Sequence, residues 1–359
     1  MGDGPTPAVR DGSYRELARQ VREAGHLDRR LGFYWGTFAT LLAALAGLVA
    51  AMVHVGDSWW QLVLAGGLGL VLTQFGFLGH DAAHHQVFAS PRANDRAARV
   101  LAGAFTGLSH AWWTGKHDRH HVSPNREGHD PDIGPGVIAF TPAAAEGRSS
   151  GAPGWFQRHQ GWLFFPLLTL EGAHLHLASL RALTRRGTLR RNGVDLAVVA
   201  VRLGGYVAAL LLLLPPLKAL CFVAVQLAVL GVCLGGSFAP NHKGMPILPR
   251  STTIEFLPRQ VLMSRNVRGG RVVDLAMGGL NYQIEHHLFP RMPRPNLRRA
   301  QPLVREHCRA HGIPYTELGL LASYAVVVDY LNHVGLRARG PFECPLAADL
   351  RSPVTASKR

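Results

Sequence analysis

Histidines gather in four short stretches of this 359-residue chain. The stretches are HDAAHH at 80–85, KHDRHH at 116–121, NHKG at 241–244 and QIEHH at 283–287. A patch of neutral imidazoles packs poorly because each ring nitrogen needs a hydrogen-bond partner, and protonated imidazoles would repel one another. A bound metal ion resolves both problems, since imidazole nitrogen suits zinc, copper, iron and nickel.

The spacing within the stretches places several histidines on shared helix faces. His80 and His84 are four residues apart, and the second stretch has the spacing of three and four residues that brings helical side chains together. Eight histidines exceed the four ligands of one tetrahedral zinc ion, so their number predicts two metal ions with coordination positions left open. The eight candidate catalytic and metal-ligating residues are His80, His84, His117, His120, His121, His242, His286 and His287.

Three further residues of these stretches are weaker candidates. His85 lies about 140° around an ideal helix from His80, so it shares that face less well than His84. Gln283 precedes the final histidine pair at the same three-and-four spacing, and Asn241 belongs to the NHKG stretch.

The other histidines have simpler interpretations. His110 lies in an apolar stretch and is expected to be a packing residue, while His129, His174 and His176 are less favoured as lining residues. Surface or interfacial positions are predicted for His26, His54, His159, His307, His311 and His333.

Four apolar runs must position these stretches. Each approaches the roughly 20 residues that a helix needs to cross a bilayer, and the first two contain no Asp, Glu, Lys or Arg. Asp195 and Arg202 lie in the third run, where the arginine could reach the interface or face a polar interior. A buried soluble helix is the alternative for any one run, but four together favour a membrane protein. The predicted spans are 33–55, 59–78, 194–217 and 219–238.

The net charge of +15 is distributed unevenly. Arginines crowd the segment before the first span and continue in 79–193 and 239–359, whereas the connections 56–58 and 215–218 hold one lysine between them. This asymmetry predicts that both termini and all four histidine stretches are cytoplasmic. Basic surface there suits anionic lipid headgroups. No finger spacing or aromatic-interleaved basic module supports nucleic-acid binding.

The domain organisation follows from the spans. Residues 1–32 form a cytosolic segment with an amphipathic helix, 33–340 form the membrane domain, and 341–359 form a loose tail. The apolar stretches 97–113 and 161–180 are expected to be interfacial or re-entrant helices. The fold class is therefore an all-α integral membrane protein of two helical hairpins with a cytosolic helical cap.

Together the four stretches resemble the histidine boxes of membrane-bound fatty acid desaturases, which are non-haem di-iron enzymes. GHDAAHH is similar to the first box, WWTGKHDRHHVSPN with the following DPDI to the second, and NYQIEHHLFPRMPR to the third. FAPNHKG resembles the extra histidine site after the last span. The resemblance runs from about Leu78 to Leu297, and four ordered motifs are far more specific than one.

The resemblance implies a mushroom-shaped molecule that holds two iron ions on the eight histidines, with O2 as co-substrate. Gln283 replaces the first histidine of a third HxxHH, as in the acyl-lipid and front-end branch and similar bacterial acyl-CoA desaturases. The implied substrate is a fatty acyl chain, carried by CoA or lipid, that gains a cis double bond. The sequence contains no HPGG motif of a fused cytochrome b5, so we expect a separate electron donor of the ferredoxin or flavin reductase type.

Two further expectations concern the surroundings of the site. Carboxylates orient imidazole ligands in many metal sites, and the candidates are Asp81, Asp118, Asp130 and Glu285, although ordinary surface charge explains Asp118 equally well. Small residues near the boxes are expected to line an apolar tunnel for the acyl chain. These are Gly76, Gly79, Ala82, Ala83, Gly107, Gly278 and Gly279.

Two alternatives stay open at this stage. A lipid hydroxylase, ketolase or acetylenase would use the same boxes and differ in the bond that follows hydrogen abstraction. A non-oxidative zinc-binding membrane protein is the alternative from a different class, although a transporter would place its polar ligands near the middle of the membrane. The acyl carrier, chain length and double-bond position are not encoded in these motifs.

The charge asymmetry generates a test of topology. Reporter fusions at Asp57 and Lys218 are expected to read as external, because the two short connections lack the basic excess of cytoplasmic segments. A fusion at Arg99, in the basic segment 79–193, serves as the internal control. A cytoplasmic signal at Asp57 would overturn the predicted orientation.

Overall fold

The computed structural model describes residues 12–146, 150–185 and 192–335. The predicted C-terminal tail lies outside these residues. The helices are, in chain order, α1 Gly12–Glu23, α2 Leu31–Val55, α3 Gln61–Ala83, α4 Pro91–Arg99, α5 His110–Val122, α6 Pro142–Ala145, α7 Gly151–Leu168, α8 Glu171–Thr184, α9 Gly193–Leu213, α10 Pro216–His242, α11 Phe256–Leu262, α12 Gly270–Ala276, α13 Gln283–Leu288, α14 Arg294–Ala310 and α15 Leu320–Gly335. A π-helix spans Val100–Thr106, a 3-10 turn spans Pro131–Ile133, and the strands are β1 Asn266–Arg268 and β2 Glu317–Gly319.

Within the described residues, four helices are long and apolar enough to cross a membrane, namely α2, α3, α9 and α10. Lys218 Nζ lies 2.6 Å from Asp57 Oδ1, so the two short connections lie at the same end of the bundle. The histidine-bearing carboxyl ends of α3 and α10 therefore meet at the other end.

The helices α3, α9 and α10 do not end at the residues predicted for the spans, because the apolar composition and the helical backbone stop at different residues. α3 continues to Ala83 and α10 to His242, several residues past the apolar runs, because the helical backbone persists where the side chains become polar. α9 ends at Leu213, short of 217. Leu214 is extended because it precedes a proline, which disfavours the helical conformation.

Both stretches expected to be interfacial or re-entrant are broken helices. Residues 161–180 divide between α7 and α8, whose axes are bent by 80° relative to each other. The two helices form a fifth possible span only if the bent pair is taken as one span. Residues 97–113 contain the end of α4, the π-helix and the start of α5. Gly107 separates these last two with φ +78°, a conformation that favours glycine.

Close helix contacts use glycine where backbones meet. A Cβ on Gly231 of α10 would lie 2.3 Å from the Leu168 carbonyl oxygen, and one on Gly172 of α8 would lie 2.2 Å from the Leu227 oxygen. Glycines expected to line a tunnel are also packed. A Cβ on Gly278 would lie 2.3 Å from the Phe77 ring.

The region beyond the spans, which we call the cap, contains α1, α5, α11 to α14 and the two strands. Leu17 of α1, Ile284 and Leu288 of α13, and Val304 of α14 share one buried apolar cluster. The cap is not wholly helical, because β1 and β2 pair in parallel with Asn266 opposite Glu317. The second strand is followed directly by α15, which begins at Leu320.

The contact at Gly231 predicts a stability effect. Gly231→Ala is expected to destabilise the protein by about 1–3 kcal/mol, because the added methyl overpacks the backbone contacts of α10 with Leu168 of α7 and Gly172 of α8. Thermal unfolding of purified protein in detergent measures the change. Gly205→Ala on α9 is the matched control, since a Cβ there meets no atom within 4 Å in the described chain. Equal melting temperatures for the two variants would contradict the prediction.

Candidate metal centre

The structure brings all eight candidate histidines together where α3, α5, α10 and α13 meet. They form two adjacent groups, and within each group one nitrogen from every ring lies within 4.8 Å of the others. The five-histidine group contains His80, His84, His117, His121 and His286, and the three-histidine group contains His120, His242 and His287.

Two helices supply both groups. On α5, the spacing of four sends His117 and His121 into the five-histidine group, while His120 faces the three-histidine group. On α13, the consecutive residues His286 and His287 separate in the same way. The rings of His121 and His287 stack at a centroid distance of 4.2 Å, so the two groups touch.

Asp130 fixes the orientation of the His120 ring. The carboxylate lies 3.0 Å from His120 Nδ1 and also accepts hydrogen bonds from the backbone N–H groups of Asn125 and Asp132. Burial opposes charge on Asp130, but the His120 ring beside it holds the pKa of this carboxyl below its usual value. The arrangement makes Nδ1 the protonated nitrogen and leaves the Nε2 lone pair free for a cation.

The other two rings of the three-histidine group are held in the same way. His242 Nδ1 donates to the carbonyl oxygen of Met263 at 2.9 Å. His287 Nδ1 donates to Gln260 Oε1, also at 2.9 Å. An oxygen acceptor on each Nδ1 selects the tautomer whose Nε2 carries a lone pair.

These lone pairs face one another. His120 Nε2 and His242 Nε2 are 3.3 Å apart, although both rings already donate through Nδ1. His287 Nε2 is buried and has no hydrogen-bond partner among the described residues. The Gln283 amide nitrogen lies 2.9 Å from His242 Nε2 and can satisfy one of these lone pairs. Three ring nitrogens within 4.8 Å of one another, one of them without a partner among the described residues, still form a donor set that fits a metal ion.

The rings of the five-histidine group are buried together and are short of hydrogen-bond partners. Burial, and then the neighbouring rings, lower the pKa values of His84, His117 and His121 well below the usual histidine value. His84 Nε2 and both ring nitrogens of His286 are buried without hydrogen-bond partners in the described chain. Neutral, buried and unpartnered imidazoles are the form in which histidine ligates metals.

The weaker candidates divide between the interior and the surface. Gln283 Nε2 lies 2.9 Å from His242 Nε2, and Asn241 Nδ2 donates to Gln283 Oε1 at 3.2 Å. Both amides are buried beside the three-histidine group. His85 lies outside both groups, with its Nε2 2.8 Å from Asp95 Oδ1.

The four acidic candidates play different parts. Only Asp130 holds a ring closely, because Asp81 is 3.5 Å from His80 Nδ1 and pairs with Arg294 at 2.6 Å. Asp118 is exposed on α5. Glu285 accepts hydrogen bonds from Asn266 and Tyr315, both at 2.7 Å, and therefore anchors α13 to the cap.

The remaining histidines stay outside both groups. His110 contacts Thr114, His129 contacts a backbone carbonyl, and His174 pairs with Glu171. His176 lies between the carbonyl oxygens of Gly172 and Thr106. One expectation was wrong: His307 is buried, because the packing of α1 on α14 covers it and sets Ser13 Oγ 2.8 Å from its Nε2.

Sequence reasoning missed the residues that hold the rings from outside the histidine stretches. Gln260 and the Met263 carbonyl carry no motif, and only the fold brings them to the site. Asp132 lies 3.5 Å from His120 Nδ1 and pairs with Lys116 at 2.5 Å. Its position in DPDI, two residues after Asp130, was the available signal.

The chain is similar to known proteins along most of its length. The family model described as Fatty acid desaturase matches residues 57–319. A Delta(8)-fatty-acid desaturase of Helianthus annuus is 27% identical over 91% of this chain and 74% of its own. An acyl-lipid (9-3)-desaturase of Physcomitrium patens is 30% identical over 92% and 64%. The Delta(5) fatty acid desaturase fat-4 of Caenorhabditis elegans is 30% identical over 84% and 69%.

The chain belongs to the fatty acid desaturase family. It is therefore an enzyme of the oxidoreductase class, and the predicted resemblance is confirmed. Family membership and the four apolar helices together indicate a multi-pass membrane protein.

The Asp130 contact predicts an effect on metal affinity. Asp130→Asn is expected to weaken metal binding about 10–100-fold, because the amide no longer stabilises the tautomer that His120 needs. Titration of the apoprotein with Fe2+, with metal content measured by mass spectrometry, tests this. Asp118→Asn is the control on the same segment, and equal affinities for the two variants would contradict the prediction.

Proposed function

We propose that this chain uses O2 to introduce a cis double bond into a fatty acyl chain, at two iron ions held by the eight histidines. The observation that carries the proposal is the convergence of eight buried or half-buried histidines in two groups, within each of which one nitrogen from every ring lies within 4.8 Å of the others. Imidazole ligands suit iron, and two adjacent groups of rings suit two ions. Family membership supports the reaction.

The reaction must balance in electrons and protons. Removing two hydrogens from adjacent methylenes with O2 and forming two waters requires two further electrons and two protons. When bound, the metal pair would supply this redox chemistry, since side chains provide no oxidant strong enough for an unactivated C–H bond. The protein's own part is to hold the rings neutral, to fix their tautomers and to exclude water.

Apolar side chains border the rings where a hydrocarbon must approach. Trp113 stacks on His117 at a centroid distance of 4.3 Å and lies 5.4 Å from the ring of His80. Phe238, one helical turn before His242, lies 6.3 Å from both of those rings. These contacts support an apolar substrate, and positioning of the second C–H bond decides between an alkene and an alcohol.

Relatives support an acyl chain as the substrate. Three of them are named for fatty acids or acyl lipids and for double-bond position. We propose a long saturated or partly unsaturated acyl chain, carried by CoA or by a lipid.

We propose further that the site and both termini face the cytoplasm. The arginine-rich segments lie on the side of the histidine groups, as the positive-inside rule requires. The electron donor in this proposal is a separate ferredoxin or flavin reductase type protein. An acidic donor would be attracted by the basic surface, and salt would weaken the attraction.

The product identifies the reaction. Mass spectrometry of derivatised fatty acids from an expressing host is expected to show a species two mass units below its parent, with a cis double bond. Purified protein with NADPH alone is expected to be inactive, and added donor and reductase are expected to restore turnover. A product sixteen mass units heavier without an alkene would indicate a hydroxylase, and zinc without iron in active protein would refute the di-iron assignment.

The ligand assignment predicts a matched mutational contrast. His120→Ala is expected to abolish product formation and to lower bound iron, because it removes a ring from the three-histidine group. His85→Ala and His333→Ala are expected to retain both, since these rings lie outside the two groups. Near-normal turnover of His120→Ala, with normal iron content, would contradict the assignment.

A further inference from the structure

A short helix outside the four spans exposes apolar side chains next to them. On α12, Val272 is 79% exposed and Leu275 is 67% exposed, whereas Val273 is buried on the opposite face. Val273 belongs to a small cluster against which Leu320 packs, and the adjacent Leu321 is 82% exposed. Contact of these apolar side chains with water is unfavourable, so the question is what covers this surface.

The contacts of α12 give its depth relative to the spans. Gln74 Nε2 of α3 donates to the Leu275 carbonyl oxygen at 3.1 Å, and Ser237 Oγ of α10 lies 3.4 Å from the Ala276 oxygen. Gln74 lies thirteen residues after Gln61, or about 20 Å along the span at 1.5 Å per residue. A hydrocarbon core of about 30 Å reaches that level. The carboxyl end of α12 therefore lies at a depth that the hydrocarbon reaches.

The charges around α12 also match a membrane surface. Arg268 and Arg271 are exposed at its amino end. The one acidic side chain of this helix, Asp274, is half-buried and accepts a hydrogen bond from Asn281 Nδ2 at 2.7 Å. An apolar face flanked by exposed cations is the pattern of helices that lie in a membrane interface.

We propose that α12 is an interfacial membrane element, with Val272 and Leu275 in the hydrocarbon and with Arg268 and Arg271 at anionic headgroups. The inference goes beyond the proposed reaction, because it concerns the bilayer and not the acyl substrate. Gly278, packed on the Phe77 ring, connects α12 toward α13. Leu275 thus lies eight positions before Gln283, the first residue of α13, which carries one histidine of each group.

Site-specific photo-crosslinking of the full chain tests the inference. The photoreactive residue p-benzoylphenylalanine replaces Val272, Leu275 or Val122 in protein reconstituted into nanodiscs of phosphatidylcholine and phosphatidylglycerol. Val122 is the control because it is 65% exposed but lies at the end of α5, beside α11 in the cap. Adducts with lipid tails are expected at 272 and 275, several-fold above 122. No adducts at 272 and 275, or equal yield at 122, would overturn the proposal.

A second part of the experiment tests the role of the arginines. Replacing phosphatidylcholine-only nanodiscs by anionic ones is expected to raise the adduct yield at 272, and Arg268→Gln with Arg271→Gln is expected to remove that increase. A yield that does not respond to headgroup charge would overturn the headgroup contact. Crosslinking does not depend on turnover, so its failure is distinguishable from failure of the proposed desaturation.

Discussion

Much of this structure depends on the cost of burying uncharged imidazoles without partners. Six ring nitrogens of the two groups lack hydrogen-bond partners among the described residues: His80 Nε2, His84 Nε2, His121 Nδ1, His286 Nδ1, His286 Nε2 and His287 Nε2. Each buried unpaired group costs about 1–3 kcal/mol, and the total is comparable to the whole net stability of a typical protein, about 5–15 kcal/mol. A bound cation would remove most of that cost. The spans and cap can therefore be understood as a frame that holds the rings in a conformation that a bound metal ion would stabilise.

The helices that carry the histidines are anchored in two different ways. α3 and α10 carry their histidines at the ends of long apolar helices. α13 is only six residues long, so contacts with the cap must hold it in place. Glu285 makes these contacts through hydrogen bonds to Asn266 and Tyr315, and burial raises the pKa of this carboxyl to about 7. The short helix that carries His286 and His287 is thus held on its other side by the hydrogen bonds of Glu285 to Asn266 and Tyr315.

Sequence patterns predicted the parts of this architecture that local chemistry determines. The four spans follow from apolar run length, and seven of the eight histidines follow from spacing of three and four, whereas His242 was assigned from its place after the last span and from the family resemblance. The division of His120 from His121, and of His286 from His287, could not be read from spacing, because it depends on where neighbouring helices lie. Gln260 was equally hidden, since its contact with His287 joins residues twenty-seven positions apart. The strand at 317–319 escaped prediction because it is defined only by its pairing with β1.

The sharing of α5 and α13 between the two groups has a consequence for how the centre assembles. Any rotation of α5 that brings His120 closer to the other rings of the three-histidine group also moves His121, its neighbour in sequence, within the five-histidine group. The stacked rings of His121 and His287 add a direct contact between them. Under the proposed assignment, occupancy of one position therefore preorganises the other, and metal loading is cooperative. Half-loaded protein would be a minor species, and the centre would gain or lose its ions as a unit.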